Sequence, residues 1–499
     1  MHRRTTEADW AETRSLGTAA TRGALTSAVS TWTRFVVQLA TMVIVARLVG
    51  PAHYGAAATA LVAVMGAELV RSGGITWLIG RAQTLTAAAV STLHRLTVTV
   101  GSAVAAVFAV LTCIVPPDAL PAGVLTFPTL AVVFLAAGVS AVPTALLARN
   151  LRFGLIGTAE VSAAVVSCVV AVMIAATGGG AAALLVQSAS YAVVLCGIVV
   201  TACPWRPGRP AQLRTLRSEL AFAGNATVSQ ALDWAVRSID RIIVAALFGN
   251  AAAGLYVQAA QLAVLPIEQV NGPLRRVAVP ALARMIDEPD RFRAAYRALL
   301  TLSCSVLWPV FAVLAVLAEP VVVTLFGPAW SGSATLFRAM IPMAMASVVA
   351  GITVVVAFAH GLAGRQTLWE CLVSRPGTIA AYGIGAVWGV QGVAAGSSVS
   401  AVLLVVPGYL VIAGRSGLGL RDLLVPLIAP AGIAVVCAAG VAAVVVPLEA
   451  APLITLVVGA AVAAGLWVAL LLVIPATRRT LRGVGRVVLH RVPEPASAG

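Results

Sequence analysis

The sequence predicts an all-α polytopic membrane protein of about 14 transmembrane helices, built as two six-helix lobes in parallel repeat plus two trailing helices. Three observations predict it. The 499 residues are 60% hydrophobic and only 10% charged, with a mean hydropathy of +0.99, whereas soluble chains average about 25% charge. Apolar runs of about 20 residues, the length that crosses a bilayer, recur from end to end. Arginines collect in alternate loops, as the positive-inside rule requires. This composition excludes a soluble multidomain enzyme, a disordered chain and a coiled coil. The net charge of +15 does not mark a nucleic-acid partner, because the 33 basic residues are all arginine, flank apolar spans and form no basic domain.

Residues 1–23 read as a polar cytoplasmic segment. They lack the apolar core and small-residue cleavage site of a signal peptide, so the first span is expected to be retained. The spans fall at about 24–50, 54–72, 96–115, 124–148, 157–178, 181–203, 219–248, 252–274, 296–318, 334–359, 367–388, 392–413, 422–446 and 452–475. With the N-terminus placed inside, the inner segments hold 27 of the 33 arginines, and the outer loops hold none. A missed or extra span would scramble that alternation. Both termini are therefore expected in the cytoplasm and the protein in the cell (inner or plasma) membrane. Segment 74–95, with Ile75, Leu78 and Leu85 among polar residues, reads equally as a surface-lying helix or a plain connector.

The seven cysteines form no C-x-x-C pair and nearly all fall in apolar runs, where they read as small hydrophobic fillers. The five histidines are scattered. No catalytic residue, metal site or cofactor is expected.

Self-comparison finds one repeat. VARLVGPAHYG (45–55) and VAALFGNAAAG (244–254) agree at Val45/Val244, Ala46/Ala245, Leu48/Leu247, Gly50/Gly249, Ala52/Ala251 and Gly55/Gly254. Each copy joins the first and second helices of a six-helix set, so the sets share one orientation, as in parallel-repeat transporters. The domains follow: cytoplasmic segment 1–23, N-lobe 24–203, an Arg/Pro-rich cytoplasmic linker 204–218, C-lobe 219–413, trailing helices 422–475 and a cytoplasmic tail 476–499. In such transporters the site is expected between lobes that rock to expose it alternately.

Charge within the spans points to the site, because an ionised side chain at the bilayer centre costs about 3 kcal/mol or more without a partner or a wet cavity. Arg34 lies about 15 Å from the inner end of the first span, with no carboxylate within a turn. The seventh span carries Asp233, Arg237, Asp240 and Arg241, spaced to share one helical face. Glu268 stands beside Pro266 in the eighth. These six are the candidate substrate-cavity residues. An ion-pair ladder between helices is the competing reading for the seventh span. Arginine suits phosphate because its planar fork binds oxygens in pairs. Glu68, Glu160, Arg338, Glu370 and Arg375 are lesser candidates.

Several segments resemble the polysaccharide transporter family, the Wzx-type lipid-linked oligosaccharide flippases within the multidrug/oligosaccharidyl-lipid/polysaccharide exporter superfamily. VARLVGPAHYGAAATAL (45–61) is similar to that family's opening motif. RSIDRIIVAALFGNAAAGLYVQAAQLAVLPIEQVNGPLRRVAVPALARM (237–285) resembles its central stretch, and DEPDRFRAAYR (287–297) and EPVVVTLFGPAW (319–330) resemble the loop and segment after it. The resemblance implies a V-shaped bundle and transfer of an undecaprenyl-diphosphate-linked sugar repeat from the inner to the outer leaflet. Asp240 matches the family's aspartate in the seventh span, whereas Arg237 and Arg241 stand where asparagine is common.

A flippase for surface polysaccharide synthesis is thus the first functional expectation. Its partners would be a polyprenyl-diphosphate-linked glycan, membrane lipid and, beyond these, a polysaccharide polymerase or glycosyltransferases. The charged residues admit H⁺ or Na⁺ coupling without showing either. A cation-coupled multidrug exporter or a lipid II flippase of the same superfamily is the alternative. A membrane-embedded glycan polymerase comes last, because the outer loops offer only the scattered Asp118, Glu319 and Glu449.

Overall fold

The computed structural model describes residues 7–72, 74–81, 86–116, 122–211, 217–448 and 450–473. Among them there is no strand. The helices are α1 (Glu7–Ser72), α2 (Gly74–Arg81), α3 (Ala87–Ile114), α4 (Thr126–Arg149), α5 (Phe153–Ala176), α6 (Ala182–Ala202), α7 (Arg217–Ala283) and α8 (Pro289–Val316). They continue as α9 (Ala318–Phe326), α10 (Ser331–Ala359), α11 (Ala363–Trp369), α12 (Arg375–Gly385), α13 (Gly389–Ser416), α14 (Leu420–Val445) and α15 (Pro452–Val473). Eleven stretches of the described residues are long and apolar enough to cross a membrane, and two of them, of 52 and 54 residues, exceed twice the length of one crossing. The chain is a multi-pass membrane protein.

The repeat read from sequence has a conformational counterpart. α1 and α7 run for 66 and 67 residues, about 100 Å if straight, and each is broken at one glycine. Gly50 has φ 74°, ψ 166° and Gly249 φ 80°, ψ 176°. That region is open only to glycine, so both copies place the same bend at the same register. The bends also meet. A Cβ on Gly55 would lie 1.7 Å from the Asn250 carbonyl oxygen, and one on Gly254 would lie 2.1 Å from that of Pro51. Pro51 and Asn250 occupy equivalent positions in the repeat, so the contact is reciprocal.

The chain divides into two compact units: Met1–Ala245 with Gly249–Gly254, and Ala246–Phe248 with Leu255–Gly499. The first unit holds α1–α6 and the first half of α7. Lipid offers helices no hydrophobic drive to associate, so close approach rests on small residues. α3 and α4 cross at Gly101 and Gly138, where a Cβ would come within 2.7 Å and 2.6 Å of the opposing backbone oxygen. Segment α2 is packed into this unit. Leu78 and Ile79 are buried in a cluster with Val90, Leu93, Val142 and Ala223, and Arg149 donates to the Ile79 carbonyl.

In the second unit, α10 and α13 are tied by Ser398, whose hydroxyl donates to the Ala339 carbonyl and accepts from Met343 N–H. The trailing helices pack onto this unit. Buried Asp422 at the start of α14 pairs through Oδ1 with Arg297 and through Oδ2 with Arg293 of α8, and Oδ2 also accepts from Gly419 N–H at 2.7 Å. Trp467 of α15 donates to the Ser305 carbonyl at 2.9 Å.

Candidate functional site

Within the first unit, α1, α4, α5 and α6 enclose a cavity of about 430 Å³. Arg34 enters it from α1. Its partner comes from 126 residues away: Nη1 donates to Oε2 of Glu160 on α5 at 3.1 Å. With 37% of the arginine side chain and 22% of the glutamate side chain exposed, the pair faces open space on one side. A second pair, Glu68 and Arg71, lines the cavity from the last turns of α1, with Arg71 Nε donating to Oε2 at 2.9 Å. Tyr191 of α6 stands beside the Arg34 guanidinium.

The remaining polar wall divides by chemistry. Thr41, Ser140, Ser167 and Ser188 each give their hydroxyl proton to a carbonyl of their own helix, at 2.7, 2.7, 3.0 and 3.1 Å. What these hydroxyls present to the cavity is therefore acceptor lone pairs. Donors come from Arg34, Arg71, Tyr191 and the amides of Gln38 and Gln187. A cavity with cationic donors at one side and hydroxyl acceptors around it can hold an anion that carries hydroxyl-rich substituents.

α7 leans on this wall. Trp234 Nε1 donates to the Val62 carbonyl at 3.1 Å, and Gly74 N–H donates to Thr227 Oγ1 at 3.0 Å. Arg241 Nη1 reaches Sδ of Met65, a cavity residue, at 3.5 Å. Of the six residues expected to line a substrate cavity, Arg34 lines this one and Arg241 touches its rim. Asp240 accepts the Arg241 N–H at 2.8 Å. Glu268 is exposed, belongs to the second unit and does not line this cavity. The side chains of Asp233 and Arg237 lie outside the described residues. In the second unit, Arg375 pairs with Glu370 at 3.4 Å beside a π-helical turn, Glu370–Ser374, and Arg338 donates to the Ala315 carbonyl at 3.1 Å. Among the described residues, no group of three or more His, Cys, Asp or Glu side chains could hold a metal ion.

Sequence reasoning placed Glu160 and Glu68 among lesser candidates and missed Gln38, Gln187 and Tyr191. The signal was faint. Glu160 is one carboxylate in an otherwise apolar span, and a glutamine or tyrosine in a span carries no charge to draw notice.

Comparison with known proteins fits this picture. The profile of the family described as "Polysaccharide biosynthesis protein" matches residues 44–335, more than half of the chain. The chain is 25% identical over 318 residues to the lipopolysaccharide biosynthesis protein WzxC of Escherichia coli (strain K12), covering 62% of this chain and 63% of that protein. It is 22% identical over 249 residues to the teichuronic acid biosynthesis protein TuaB of Bacillus subtilis (strain 168), covering 48% and 50%. These matches thus span under two thirds of the relatives' own length. Among solved structures, the lipid II flippase MurJ in an inward closed conformation superposes with a TM-score of 0.69 at 10% identity, over 93% of this chain and 99% of that one. An inward-facing multidrug transporter of the MATE family superposes at 0.60 and 13% identity, over 77% and 94%. At those identities the likeness establishes a shared fold.

Proposed function

The chain belongs to the polysaccharide biosynthesis protein family, and on that footing we propose that it moves a polyprenyl-diphosphate-linked oligosaccharide from the inner to the outer leaflet by alternating access. One observation carries the proposal: Arg34, with Arg71 and its partner Glu68 near, stands in a cavity whose remaining polar lining is amides and hydroxyls set among apolar side chains. Two guanidinium forks suit the diphosphate, and the acceptor hydroxyls suit the donors of a sugar ring. The volume of about 430 Å³ falls in the range of about 300–1,000 Å³ that holds small-molecule ligands. The polyprenyl tail stays in lipid, so only the polar head has to be sheltered. The protein performs no chemistry on the glycan. It sits in the plasma membrane with both termini inside and about fourteen crossings, a placement supported by the arginine distribution. It works beside the glycosyltransferases that build the lipid-linked repeat and the polymerase that consumes it.

Depletion tests the reading. The expected result is a lipid-linked glycan that accumulates on the inner leaflet, loss of the surface polymer, and unchanged sensitivity to cationic drugs. Hypersensitivity to such drugs with intact surface polymer would support a drug exporter instead.

A further inference from the structure

We propose that the second unit carries a glycan subsite at membrane depth, built from Gln366, Glu370 and Arg375 around the π turn of the eleventh predicted span, and that it binds hydroxyls of the oligosaccharide head group. The proposal rests on the lipid-linked oligosaccharide reading above and adds a contact within it.

The repeat extends beyond the two glycine bends. α4 and α10 end at Arg149 and Ala359, and α5 and α11 start at Phe153 and Ala363, an offset of 210 in both cases. The turns between them match bond for bond. Asn150, Leu151 and Arg152 donate N–H to the carbonyls of Leu146, Ala148 and Leu147, and His360, Gly361 and Leu362 donate to those of Val356, Phe358 and Ala357. Leu151 has φ 56° and Gly361 φ 68°. Glu370 therefore stands at the register of Glu160, the partner of the first cavity's Arg34.

In the second unit the cation comes from the same helix. Five residues apart on a regular α-helix, Glu370 and Arg375 would point about 140° away from each other. The π turn Glu370–Ser374 removes that divergence, because its i→i+5 bonds lay the fifth residue over the first. Arg375 N–H donates to the Glu370 carbonyl, and Arg375 Nη2 donates to Glu370 Oε2 at 3.4 Å. Arg375 stands about 18 Å along the span from Ala363, near the middle of a bilayer core of about 30 Å. Charges at that depth face a bundle interior or a wet cavity.

The cluster calls for a ligand of definite chemistry. The Glu370 side chain is 34% exposed. A carboxylate has about four acceptor sites. Among the described residues Glu370 fills two, with Arg375 Nη2 and with Gln366 Nε2 at 3.3 Å, and both bonds are long. Gln366 is buried, and its Oε1 meets no donor among the described residues. The unmet groups are acceptors, so the ligand supplies donors. A metal ion would lie against the Arg375 guanidinium, and an anion against the Glu370 carboxylate. A neutral polyhydroxyl ligand meets neither conflict: its hydroxyls give protons to Glu370, and its oxygens accept from Arg375. The sugars of the head group are such a ligand, and hydrogen bonds to ionised groups are the strong ones.

The test is isothermal titration of the purified full-length protein in micelles with two probes, farnesyl diphosphate and the same diphosphate carrying maltotriose. Wild type is expected to bind both, and the maltotriosyl probe about tenfold or more tightly, the worth of a hydrogen bond to a charged group. Glu370→Gln, nearly isosteric, removes the charge and one acceptor oxygen. It is expected to erase that margin, with the loss confined to the maltotriosyl probe. Equal affinity of wild type for the two probes, a measurement that needs no variant to fold, overturns this inference and leaves the diphosphate reading standing. So does an undiminished margin in Glu370→Gln, or an equal loss for both probes. No binding of either probe by wild type overturns both.

Discussion

Gly55→Ala and Gly254→Ala probe the reciprocal contact between the two bends. Each introduces a single methyl group on a helix whose neighbour is already in backbone contact. The added carbon at position 55 would lie 1.7 Å from the Asn250 oxygen, and at position 254 2.1 Å from the Pro51 oxygen. An ordinary carbon–oxygen contact is longer by more than 1 Å, and the obstacle is backbone, which no rotamer change removes. The helices must therefore separate, at a cost of about 1–3 kcal/mol, the range for overpacking. The geometry also predicts how the two costs combine. Once either methyl has pushed the helices apart, the other enters space already opened, so the double variant should cost about 1 kcal/mol less than the sum. Reversible unfolding in mixed micelles, followed by tryptophan fluorescence, measures all three. Wild-type stability in both single variants, or strict additivity in the double, would refute the reasoning.

Other predictions follow from single features. Gly50→Ala and Gly249→Ala meet no neighbouring atom within 4 Å, so each should lose about 1–3 kcal/mol through backbone strain alone. Asparagine should rescue neither, because ψ of 166° and 176° lies outside the left-handed helical region it tolerates; rescue in the same unfolding assay would contradict this. Asp422→Asn leaves Arg297 without its counter-charge and Arg293 with only the exposed Asp290, and should cost about 1–3 kcal/mol, below the 3–5 of a fully buried pair because both arginines are partly exposed. Protease sensitivity in the α8–α14 region should rise with it, and unchanged cleavage would show that the cluster does not hold α14 in place.

Much of the fold is legible in the sequence because the bilayer leaves few options. A run of about 20 apolar residues must be a helix when no water can satisfy its backbone. Six matches in eleven positions of an alanine-rich chain would say little if they were only composition, but the repeat at Gly50/Gly249 and Gly55/Gly254 marks positions where glycine is required, and both pairs have the same role in each copy. The site is legible only in part. Arg34 announced itself as a charge deep in a span. Its partner did not, because Glu160 lies 126 residues away and nothing local ties the two together. The reading of Arg34 as lacking a carboxylate held only along its own helix. The packing of α2 was hidden for a related reason: its apolar partners lie on α3 and, far away in sequence, on α4 and α7.

Flipping of a lipid-linked oligosaccharide in proteoliposomes, read by outer-leaflet access to a lectin, tests the central claim most directly when Arg34→Ala is compared with wild type. Loss of a bidentate phosphate contact in a partly desolvated cavity should slow transfer by about tenfold or more, consistent with about 1.5–3 kcal/mol for a charged hydrogen bond. Arg34→Lys, which keeps the charge but not the fork, should fall between the two. Wild-type flipping by Arg34→Ala at equal protein level would contradict the account.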